Sequence, residues 1–143
     1  MANEDKAFGH VTRGINTLIN KVQRGVEEEK RGHVNTTVVF MNKYLETAQM
    51  HHEFANSSYD ENNHASATTH LGHVVDALGA AHQVAHYNLG ANSPVTKPFA
   101  DHMSKIQSHL DDYRQMAGTH DSELGERFSK LMSHNNLNPQ QFS

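Results

Sequence analysis

Apolar residues return every three or four positions along most of this chain, which divides it into helical segments. From Glu4 to Arg31, Phe8, Val11, Ile15, Leu18, Val22 and Val26 make one stripe, closed by Lys30-Arg31 and Gly32, a cationic last turn and a residue suited to a helix stop. Gly14 and Gly25 lie near that stripe; each costs about 0.8–1 kcal/mol relative to Ala, and close approach of another backbone is a reason to keep them. A second helix runs from about Asn35 to Asn56 with Val34, Val38, Met41, Leu45, Ala48, His52 and Ala55 inward. Ser58-Tyr59-Asp60-Glu61 has the form of a capping box and predicts the start of a third helix, roughly 45 Å long, that ends at Leu89 before Gly90. Its stripe is Ala67, Leu71, Val74, Leu78, Ala81, Ala85 and Leu89, beside a line of small residues, Ala65, Gly72 and Gly79, that predicts tight helix packing.

Ala91 to Pro98 holds two prolines and several turn formers and predicts the one substantial loop. A fourth helix follows with Phe99, Met103, Ile106, Leu110, Tyr113 and Ala117 inward, stopping at Gly118. A short fifth helix is expected from Asp121 or Ser122 to about His134, carrying Leu124, Phe128 and Leu131. The expected fold is all-α: an antiparallel, up-and-down bundle of four long helices plus a short C-terminal helix. It forms a single domain over residues 1–134, with 135–143 as an irregular arm.

The second helix departs from simple amphipathicity. Phe40, Lys43, Thr47, Met50 and Phe54, with Val39 nearby, form a stripe opposite its inward one. Two apolar faces require two covers, and the second cover is either the fifth helix or another chain.

Composition narrows the chemistry. The 143 residues include no Cys, which excludes disulfides, thiolate metal sites and a cysteine nucleophile. The formal charge of −4, with Lys and Arg dispersed, leaves no footprint for nucleic acid, and neither nucleic acid nor membrane is an expected partner. The start, Met1-Ala2-Asn3-Glu4-Asp5-Lys6, lacks the basic and apolar regions of a signal peptide, so the expected location is the cytoplasm or a virion assembled there.

The 13 His are the unusual count. The spacing His82-Gln-Val-Ala-His86 puts two imidazoles one turn apart; His52 lies on an inward stripe, His102 and His109 flank another, and His70 and His73 point away from theirs. These five inward or flanking residues, His52, His82, His86, His102 and His109, are the candidate ligands if the bundle binds a transition metal or haem. A di-metal carboxylate centre in a bundle uses two Glu-x2-His motifs and two further Glu. This chain has one such motif, Glu61-Asn-Asn-His64, at a helix start. The remaining role for so many imidazoles is titration: full protonation carries the formal charge from −4 to +9, so the bundle is expected to loosen or change partners in mild acid.

No Gly-x-Ser-x-Gly elbow or other catalytic arrangement is present, and Asp60-Glu61 and Asp111-Asp112 read as solvated helix positions. The expected function is a non-enzymatic structural or adaptor subunit of a homo-oligomer or larger complex, without a cofactor; a small tailed-phage virion component is the preferred class. Its candidate interface is Val39, Phe40, Met50, Phe54 and Phe142 of the arm. A histidine-ligated metal or haem bundle is the alternative.

Overall fold

The computed structural model describes residues 2–29 and 34–134, with side chains over residues 4–29 and 36–117. It is helical throughout: α1 Ala2–Glu28, α2 Val34–Asp60, α3 His64–Leu89 and α4 Lys97–His134, with no strand among the described residues. The expected stop at Lys30-Arg31-Gly32 and the arm at 135–143, with Phe142, lie outside the described residues.

Four helices pack along three main seams: α2 on α3, α1 on α4, and α3 on α4, with a slight contact between α1 and α2. Neighbours run antiparallel. Phe8 near the start of α1 meets Tyr113 late in α4, and Gly25 near the end of α1 meets Pro94 just before α4. The predicted stripes supply the core: Val11, Ile15, Leu18 and Val22 from α1, Met41, Leu45 and Ala48 from α2, Leu71, Val74 and Leu78 from α3, and Phe99, Ile106 and Tyr113 from α4 are all buried. Removing these side chains from water, at about 25 cal/mol per Å² of apolar surface, is the main force holding the helices together.

The α2–α3 junction corrects the expected capping box. Ser58, Tyr59 and Asp60 form the last turn of α2, and α3 starts at His64. The Asn63 N–H donates to the Ser58 carbonyl at 2.8 Å and the Asn62 N–H to the Tyr59 carbonyl at 2.9 Å, while Asn62 adopts φ 60. That is a Schellman closure with asparagine in its left-handed position, the non-glycine residue best suited to it. The Asn63 side chain then accepts the Ser66 N–H at 3.1 Å and caps α3. With 26 residues, α3 is about 39 Å long, shorter than its capping-box start implied.

Two other expectations change. The line of small residues is not a continuous packing seam: Ala65 is exposed, nothing lies within 4 Å of where a Cβ of Gly79 would stand, and only at Gly72 would a Cβ meet a neighbour, the Arg114 guanidinium at 3.2 Å. Close packing is provided instead by Ala67, Ala77, Ala81 and Ala85, all buried. Nor does Gly118 end a helix; α4 is continuous over 38 residues, and a separate fifth helix is not seen. A helix-interior glycine costs only about 1 kcal/mol, and no proline interrupts the sequence after Pro98 until Pro139. The positions of Leu110, Tyr113 and Ala117 continue in phase through Leu124, Phe128 and Leu131, with only Asp121 polar in that series.

Candidate interaction face and histidine clusters

The period of α2 sends Met41, Leu45, Ala48, His52 and Ala55 into the core and so turns its second stripe outward. Val39 is 59%, Phe40 55%, Met50 45% and Phe54 45% exposed, with Tyr44 beside them at 41%. Lys43 and Thr47, between these apolar groups, are exposed as well, and the Lys43 ammonium lies 6.0 Å from the Phe40 ring centroid. Among the described residues α2 packs on α3 and slightly on α1, and it makes no seam with α4. Thus the four exposed candidates Val39, Phe40, Met50 and Phe54 do share one face, and no described part of the chain encloses it.

The α2–α3 turn fixes which side chains meet across the hairpin. Positions 58 and 66, 54 and 70, and 51 and 73 each lie equally far on either side of Asn62, and all three pairs are in contact: Ser58 Oγ is 2.8 Å from Ser66 Oγ, the Phe54 and His70 ring centroids are 5.3 Å apart, and those of His51 and His73 are 4.7 Å apart. His51 also meets His70, ring centroids 5.2 Å apart and Nδ1 to Nδ1 at 3.0 Å. Three imidazoles therefore gather beside Phe54. Their cross-helix pairing was not read from the sequence; a hairpin register centred on the Asn62-Asn63 turn is the signal that locates it.

Of the five histidines of the metal reading only His82 and His86 are neighbours, and no three come together among the described residues. His52 is buried in the α2 stripe, and its Nε2 has no hydrogen-bond partner. Burial holds its pKa below the ordinary imidazole value, against a smaller opposing pull from Glu53. It is a core residue. His82 stacks on Phe99, centroids 5.4 Å apart, and His86 stands perpendicular to it at 6.2 Å. His102 Nε2 lies 3.1 Å from the Lys21 ammonium, which donates to it and therefore requires a neutral imidazole. Lost hydration, then the charges of Lys21 and Lys105, lower its pKa. His109 stacks against His10 of α1 at 5.0 Å. Among the described residues no group of three or more His, Asp or Glu side chains is arranged to hold a metal ion.

A second cluster closes the opposite seams. The Tyr113 hydroxyl is 2.7 Å from His64 Nδ1, and His64 Nε2 is 3.4 Å from Glu4 Oε2. A carboxylate only accepts, so the proton belongs on Nε2 and the Tyr113 O–H donates to Nδ1. This carboxylate, imidazole and phenol chain ties α1, α3 and α4 together, and Phe8 stacks on Tyr59 beside it, centroids 4.0 Å apart. Tyr113 is wholly buried. Open grooves among the described residues include one of about 340 Å³ between α3 and α4 lined by Asp76, Asp111 and Arg114 among others, one of about 300 Å³ along His82, His86 and Tyr87, and one of about 290 Å³ between the end of α1 and the start of α4.

No helix among the described residues is long and apolar enough to cross a membrane. No family model, curated protein or solved structure matches the chain.

Proposed function

We propose that this chain is a non-enzymatic structural or adaptor subunit that joins a larger protein assembly through the outer face of α2. The observation that carries the reading is the exposure of Val39, Phe40, Met50 and Phe54 along one side of a single helix whose other side is already in the core. Scattered exposed apolar residues are ordinary on any protein, but a row of them on one rigid helix is a surface that gains free energy when a partner covers it. Exposed aromatic residues are also the side chains most used as anchors in protein interfaces. In its narrower form the proposal makes the chain a small component of a tailed-phage virion, tested by whether it sediments with assembled particles.

The test is the mass of the native complex beside the mass of two variants, Phe40→Asp and Phe54→Asp. The expected result is a mass above the 16.0 kDa of one chain, reduced in either variant while the helical signal is retained. A single-chain mass throughout, or an assembly indifferent to both aspartates, overturns it. The metal or haem reading draws no support from the positions of His52, His82, His86, His102 and His109: His82 and His86 are neighbours, but among the described residues no third ligand joins them.

A further inference from the structure

His51 of α2 and His70 of α3 present the same nitrogen, Nδ1, to each other at 3.0 Å across the helix seam. A contact of that length between two imidazole nitrogens holds one proton: one Nδ1–H donates and the other Nδ1 accepts with its lone pair. Once both rings are protonated both nitrogens are donors, and the bond becomes a head-on opposition of two N–H groups carrying like charge. His73 closes the group, its ring centroid 4.7 Å from that of His51 and 6.4 Å from that of His70, so a charge on one ring is felt by the others.

Among the described residues no carboxylate of α2 or α3 faces the pair to relieve that repulsion. At about 100° per residue, Thr47 and Phe54 share the side of α2 that carries His51, while Glu46 and Glu53 fall on the far side. Lys43, the remaining charged group of this part of α2, sits over the Phe40 ring. On α3, Asp76 is exposed one turn beyond His73 and rotated away from His70. The charges that act on His51 are those of His73 and His70.

We propose that His51, His70 and His73 form a proton-operated latch across the α2–α3 seam, closed by the shared proton of the His51–His70 pair and forced open when both rings are protonated. The latch lies midway along a hairpin that the Asn62-Asn63 turn holds at one end, so opening separates the stretch of α2 and α3 beyond it. Burial, with the charges of His73 and His70, holds the pKa of His51 below the ordinary imidazole value, which is the direction a closed latch demands. Since Phe54 packs on both His51 and His70, the same event loosens the outer face of α2.

The experiment follows the imidazole resonances of the full chain by NMR as pH falls, with urea midpoints at about pH 7.5 and about pH 5.5, either side of the ordinary imidazole pKa. Wild type is compared with His70→Gln and His51→Gln. The expected wild-type titration is coupled, the second proton of the pair binding at distinctly lower pH than the first. His70→Gln is expected to shift the His51 midpoint upward, and His51→Gln to reduce the acid-induced loss of urea midpoint. A His51 titration unmoved by His70→Gln overturns the latch, as does a parallel loss of stability in wild type and His51→Gln. Should His51→Gln fail to fold, the wild-type and His70→Gln titrations decide.

Discussion

The backbone carbonyl of Pro94 rests directly against Gly25, so close that a Cβ there would collide with it and would also stand 2.9 Å from the Val95 nitrogen. Backbone atoms cannot rotate aside as a side chain can. Gly25→Ala should therefore lower stability by about 1–3 kcal/mol despite the better helix propensity of alanine. Gly79 is the control: with open space at its missing Cβ, Gly79→Ala should stabilise by about 0.5–1 kcal/mol. Urea unfolding of the two variants should move in opposite directions.

The loop that brings Pro94 to α1 is held by a buried hydrogen bond, in which the Ser93 hydroxyl donates to Glu29 Oε2 at 2.7 Å. Ser93 Oγ in turn accepts the Val95 N–H at 3.1 Å. Ser93→Ala removes both bonds from a site closed to water. A loss of about 1–3 kcal/mol is expected, measured as a lower urea midpoint with an unchanged slope.

His52 exchanges stability for pH sensitivity. Its Nε2 is buried without a partner, and its pKa is lowered in the folded chain. The unfolded chain then takes up a proton more readily as pH falls through about 6.5, so the contribution of neutral His52 is present above that pH and is lost below it. His10, His51, His82 and His102 are shifted in the same direction, each chiefly by lost hydration. Thermal stability should accordingly decline below about pH 6.5. His52→Leu should raise it by about 1 kcal/mol at neutral pH and make the decline shallower.

Tyr113→Phe separates the packing of the ring from the bond made by its hydroxyl. The ring contacts with Phe8 and Tyr59 remain, while the 2.7 Å bond to His64 is lost. A cost of about 0.5–1.5 kcal/mol is expected, with the helical signal intact. The imidazole resonances of His64 should shift, because its Nδ1 loses a hydrogen-bond donor while Glu4 still holds the proton on Nε2.

Much of this architecture was legible in one dimension. The inward stripes from Phe8 to Val22, from Met41 to Ala55 and from Leu71 to Leu89 are buried as their period predicts, since a helix repeats every 3.6 residues whatever surrounds it. The close approach at Gly25 and the stop at Gly90 were also expected from residue type. The Ser58-to-Glu61 box misled because a serine three residues before a glutamate is equally compatible with a last helical turn; the following asparagines decide the matter. Gly118 misled because a single weak helix former does not outweigh a hydrophobic period that carries on past it.

The amino-acid order thus determined the helices and which side of each is greasy, including the two-sided character of α2, because both are properties of neighbouring residues along one axis. Only the tertiary structure decided that Phe40, Met50 and Phe54 are left uncovered by the described chain, that His51 meets His70 and His73, and that His64 joins Glu4 to Tyr113. Those are relations between helices, set by the turn at Asn62 and by the packing of α1 on α4, and no periodicity within one helix contains them.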